Sequence, residues 1–86
     1  MALLDQLVTV EAERGLHILQ AQRLVGAIRR LDCEVHLEFE NQRVNGKSIM
    51  GILTLAVPSG MQIRVIAEGP DADRAVEASE QVLSHD

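Results

Sequence analysis

The stretch RGLHILQAQRLV, Arg14 to Val25, sets one histidine directly after Gly-Leu and directly before a run with helical period. An imidazole at that place has two uses. It is a nitrogen nucleophile near neutral pH, and the helix start beside it offers free amides and the positive end of a dipole, which hold an anion such as phosphate without a metal. It can equally serve as a helix cap and nothing more. The second group of interest is Ser48 in NGKSIMG, a hydroxyl placed to cap a short apolar turn. Other polar groups read as structural. His36 alternates outward between Glu34 and Glu38, His85 lies at a fraying end, Asp71 and Asp73 are charges at a helix start, and Cys33 is a buried strand residue. No Cys/His cluster has metal spacing, no glycine-rich phosphate loop occurs, and no serine sits in a nucleophile elbow. No base stands beside a nucleophile either. The chain is therefore read as a substrate of other enzymes rather than an enzyme, with no cofactor and no metal.

Thirteen acidic against eight basic residues give a net charge of −5, and Phe39 is the only Phe, Tyr or Trp, so neither a phosphate-neutralising surface nor a stacking platform for bases is present. Nucleic acid is excluded as a partner on that ground. One cysteine cannot form an internal disulfide, and 86 residues bury roughly 60–65% of their unfolded surface, enough for a core without staples. MALLDQ lacks the basic start of an export signal, and the longest apolar stretch, around Ile49–Val57, falls short of the about 20 residues a membrane span needs. The expectation is one cytoplasmic domain over residues 1–86, without membrane insertion.

The elements that must position His17 and Ser48 follow from periodicity. LVTVE (Leu7–Glu11) is β-branched with partial alternation, and CEVHLEF sets Cys33, Val35, Leu37 and Phe39 against Glu34, His36 and Glu38. ENQR is a polar break suited to a hairpin, Arg43–Asn45 a short returning strand, and MQIRVIAE (Met61–Glu68) puts Met61, Ile63, Val65 and Ala67 on one side. Ile18, Ala21, Leu24, Val25, Ile28 and Leu31 form a 3.6-period face, predicting a helix of about four turns over Ile18–Leu31. Leu19 points away from that face. Ser48 opens a second, short helix in which Ile49, Met50, Ile52 and Leu53 occupy nearly every side. In the last helix Pro70 falls in the first turn, followed by an apolar stripe at Ala72, Ala75, Val76, Ser79, Val82 and Leu83. The order β-α-β-β-α-β-α implies an α+β two-layer open-faced sandwich, a four-stranded antiparallel sheet with three helices on one face.

GLH before a helix, then GKSIMGILTL, then AEGPDADRAV resemble the histidine-containing phosphocarrier protein HPr family of the bacterial sugar phosphotransferase system. The resemblance runs without a gap from Gly15 to the C-terminal helix and implies the same open-faced sandwich. It implies a carrier that takes a phosphoryl group from enzyme I on a ring nitrogen of His17, in the phosphoenolpyruvate-dependent pathway, and passes it to sugar permease components. The amides of Ile18, Leu19 and Gln20 would cradle the phosphate. Ser48 matches the serine that a dedicated kinase phosphorylates in many members, and Ile18, Ile49, Met50 and Leu53 match the apolar face on which partners dock, with Leu19 enlarging it. A serine kinase and a transcriptional regulator join the expected partners.

One departure is plain. The family segment reads Gly-Leu-His-x-Arg-Pro-Ala, and here Leu19 and Gln20 stand where the arginine and proline would. Losing a charge-assisted hydrogen bond to phosphate costs about 1.5–3 kcal/mol, a slowing of roughly ten- to hundredfold if nothing compensates. Gln20 brings an amide N–H that proline lacks, and Arg14 and Arg23 are the nearest cations in sequence. The alternative function is thus a regulatory HPr paralogue with weak or no transfer at His17, acting as a binding module controlled through Ser48.

Overall fold

A computed structural model describes residues 2–85. Four strands, β1 (Ala2–Thr9), β2 (Glu34–Phe39), β3 (Gln42–Asn45) and β4 (Gln62–Gly69), alternate with three helices, α1 (Ile18–Ile28), α2 (Ile49–Thr54) and α3 (Ala72–Leu83). The sheet runs β1-β4-β2-β3, every pair antiparallel, so β4 lies between the strand that opens the chain and the hairpin. The alternation read in β2 is realised: Val35, Leu37 and Phe39 are buried, and the residues between them face the other way. Ile63, Val65 and Ala67 of β4 line the same inner face, on which α1, α2 and α3 close the core through Leu24, Ile28, Ile52, Ala75 and Leu83. The hairpin turn is Glu40–Asn41, both at positive φ (50° and 66°), the backbone of a two-residue turn whose twist matches its strands.

Several boundaries differ from those the sequence suggests, each for a local reason. β1 begins at Ala2 rather than Leu7, pairing from Ala2↔Gly69 to Thr9↔Gln62. Its first half is hard to read because Leu3 and Leu7 point outward and are exposed, while Leu4 is half-buried, so apolar residues occur on both faces. α1 stops at Ile28, about three turns, with Arg29 as its C-cap, and Leu31 packs against the core from outside the helix. Ile18 is 54% exposed and leaves the predicted core face. Met61 precedes β4 and is exposed rather than aligned with Ile63, and Cys33 is half-buried just before β2 rather than buried within it. Pro70 lies outside α3. Asp71 is the N-cap, and instead of bonding its own helix its Oδ2 accepts from the Asp32 N–H (2.7 Å), tying the α3 start to the segment before β2.

The end of α2 stores a small strain. After the C-cap Leu55, Ala56 adopts φ +50°, the left-handed conformation that glycine takes without a Cβ penalty, while its N–H donates to the Leu53 carbonyl (3.2 Å). Relief of that penalty, partly offset by the looser unfolded chain, gives Ala56→Gly an expected gain of about 0.5–1 kcal/mol. Thermal unfolding should show the melting temperature rising by about 3–6 °C. A fall would mean that the Ala56 methyl packs usefully despite its exposure.

Candidate functional site

The segment carrying His17 is shaped by three backbone contacts. Gly15 sits at φ +76° with its N–H on the Ala12 carbonyl, and a Cβ there would collide with the Val57 carbonyl oxygen. That oxygen instead accepts the Leu16 N–H (2.9 Å), and the Leu16 side chain is buried, so residue 16 anchors the loop and residue 17 is delivered to the surface. The His17 N–H turns back onto the Gly15 carbonyl (3.0 Å).

His17 is the N-cap of α1, extended at φ −96° and ψ −174°, with its carbonyl accepting the Ala21 N–H. Its Nδ1 accepts the Leu19 N–H at 3.3 Å. In a neutral ring this bond favours the tautomer with the lone pair on Nδ1 and the proton on Nε2. The two uses are therefore compatible in geometry, because the nitrogen that caps the helix is also the one whose lone pair is aimed at the helix start. Helix geometry leaves the amides of Ile18 and Gln20 without intrahelical acceptors beside it, and no acidic residue lies in the first turn to oppose an anion.

Leu19 is 55% exposed, in keeping with its position off the core face, and Ile18 is equally open. α1 packs against α2, where Met50 is 73% exposed. The remaining two residues of the expected docking face, Ile49 and Leu53, are half-buried against the core. Ser48 is the N-cap of α2 as expected, its Oγ accepting from the Gly51 N–H (3.1 Å) and its carbonyl from the Ile52 N–H. Preceding it, Lys47 donates from Nζ to the Leu31 carbonyl (2.7 Å), tying the start of α2 to the chain just past α1. His36 faces the open side of the sheet among Asp5, Glu34 and Arg43. Burial pushes the Cys33 thiol up from its ordinary pKa, aided by Asp71 and Asp32 and opposed by Lys47, which leaves it a poor nucleophile.

Sequence reasoning missed the side chain of Gln20. It is 1% exposed, its Nε2 donates to the His85 carbonyl (2.9 Å), and its Oε1 is buried without a hydrogen-bond partner. The signal was present, since position 20 precedes Leu24 by four residues on the helical wheel and thus shares the core face. The same bond corrects the view of His85 as a frayed end: its backbone is held against the first turn of α1. An orphaned buried carbonyl costs about 1–3 kcal/mol, which offsets the roughly 0.5–1.5 kcal/mol gained by the other half of the amide.

The family model "PTS HPr component phosphorylation site" matches residues 4–85. The chain belongs to the HPr family. Among solved structures, it is similar to the phosphocarrier protein HPr of Bacillus anthracis, with 34% identity over 96% of this chain and 99% of that one and a TM-score of 0.90. HPr-C-His from Thermoanaerobacter tengcongensis is 30% identical over 93% and 90% of the two chains, with a TM-score of 0.88. The catabolite repression protein Crh of Bacillus subtilis is 37% identical over 87% of each chain, at a TM-score of 0.72. HPr proteins are phosphocarriers of the phosphotransferase system, and the open-faced sandwich found here is theirs. Among the described residues no helix is long and apolar enough to cross a membrane.

Proposed function

We propose that residues 1–86 act as one unit in the cytoplasm, accepting a phosphoryl group from enzyme I on His17 and passing it to sugar permease components. The observation that carries this reading is the His17 Nδ1 lone pair at the start of α1, surrounded by exposed Ile18 and Leu19. As the Nδ1–phosphorus bond forms, the bond from phosphorus to the donor breaks and the donor leaves with the electron pair, while Nε2 keeps its proton. The Leu19 N–H, released from Nδ1, then faces a phosphoryl oxygen together with the Ile18 and Gln20 amides. Its 3.3 Å hydrogen bond is long, so little is lost in that exchange. Incubation with enzyme I and phosphoenolpyruvate, followed by detection of acid-labile phosphohistidine, tests the reading. Failure to take label from an active enzyme I overturns it.

Leu19 and Gln20, in place of the family's arginine and proline, favour a second reading: a regulatory module, controlled by a serine kinase at Ser48 and read by a transcriptional regulator. Ser48 is half-buried at the α2 start, two residues before Met50, the most exposed large apolar side chain among the described residues. Phosphate there complements the helix dipole but sets a charge beside a patch that must lose water on docking. Ser48→Asp is expected to keep the fold, because aspartate caps as well as serine does, and to weaken enzyme I binding by roughly fivefold or more. Calorimetry beside wild type measures this. Unchanged affinity removes the regulatory role from this surface.

A further inference from the structure

We propose that Gln20 is a positioning residue for transfer at His17: its side-chain amide fastens the residues after α3 to the first turn of α1, and so fixes where the first-turn amides stand when the phosphoryl group arrives. The inference rests on the phosphocarrier reading of His17. Gln20 lies three residues beyond His17, in the same helical turn, and its Nε2 reaches the His85 carbonyl across 65 positions of sequence. A second tie runs from the other side of the segment, where the Glu11 N–H donates to the Leu83 carbonyl (2.8 Å). Residues 12–19, with His17 among them, are thus held at both ends by one helix terminus, and between those ties by the Leu16 N–H on Val57.

Stability does not account for the amide. Its Oε1 is buried and empty, so a methionine of similar shape would fill the space without an orphaned acceptor. What methionine lacks is direction. An amide bonded to a backbone carbonyl sets the rotation of the first turn, and misplacement of reacting groups by about 1 Å costs up to about a hundredfold in rate.

Gln20→Met supplies the test, in two measurements. In transfer from enzyme I, kcat should fall about fivefold or more while KM for enzyme I holds, because Ile18, Leu19 and Met50 still present the same surface. The second measurement uses phosphoramidate, a small donor that needs no docking and releases ammonia as the imidazole nitrogen–phosphorus bond forms. Labelling of His17 relative to His36, on the far face of the sheet, should fall several-fold while the melting temperature stays near that of wild type, which separates misplacement of the first turn from general loosening of the fold. A chain ended after Ser84 keeps Gln20 but lacks its acceptor, and should reproduce both losses, serving also if Gln20→Met does not fold. A folded variant with wild-type kcat and an unchanged His17 to His36 ratio overturns the proposal, as does a rise in KM alone, which would place the effect in docking. Should wild type take no phosphate from enzyme I while the phosphoramidate ratio still falls in Gln20→Met, the carrier reading fails and the positioning role stands.

Discussion

His17→Asn is expected to abolish acid-labile phosphate completely while leaving the melting temperature close to that of wild type. Asparagine ranks with the best N-cap residues, so its side-chain oxygen takes over the Leu19 N–H that His17 Nδ1 accepts, and only the nucleophile is lost. His17→Ala should lose the same phosphate and, in addition, about 0.5–2 kcal/mol of cap stability. Comparing the two separates capping, which the structure shows at Nδ1, from phosphoryl acceptance, which the proposed function assigns to the same nitrogen. Neither His36, on the open side of the sheet, nor His85, past the end of α3, stands at a helix start, so with enzyme I as the donor wild type should carry label at His17 alone. Phosphopeptide mapping under neutral conditions, with thermal unfolding in parallel, decides the matter. Label that survives in His17→Asn would assign the acceptor to another residue and sink the reading.

What could be read from the sequence, and what could not, follows from how each residue meets its neighbours. β2 was legible because every inward position is apolar and every outward one polar, leaving one choice of face. The short α2 was legible from its cap, since Ser48 followed by apolar residues admits few other conformations. β1 was half hidden, because Leu3 and Leu7 sit on the solvent face of an edge strand and break the alternation on which a periodicity argument depends. The start of α3 was placed too early because Pro70 suits a first helical turn, whereas β4 extends to Gly69 and Asp71 is committed to Asp32. Of the site, His17 and Ser48 could be named from sequence, and so could the outward aim of Leu19. The burial of the Gln20 side chain could be read too, from its place on the core face, but its partner could not, because no local pattern reports a bond between residues 65 positions apart.

Leu19→Arg is expected to raise the rate of transfer to His17 by roughly tenfold or more, the equivalent of one charge-assisted hydrogen bond to the phosphoryl group. The substitution needs no repacking, because Leu19 is more than half exposed and lies outside the buried set Gln20, Ala21, Leu24, Val25 and Ile28. Its backbone N–H already touches His17 Nδ1, so a guanidinium carried on the same residue starts within reach of a phosphate on that nitrogen. Two forces oppose each other here. Arginine adds stabilisation as charge moves onto the acceptor, but it also removes an apolar side chain from a surface that Ile18 and Met50 share, and docking on that surface gains from burying leucine. Rates measured as kcat and KM separate them: the phosphate contact raises kcat, and the lost burial raises KM. A carrier whose limiting defect is the missing arginine shows the first effect in excess. If kcat is unchanged and KM climbs, Leu19 serves recognition of an apolar partner surface rather than standing as a gap in the phosphate site, and the reading controlled through Ser48 gains at the expense of the carrier.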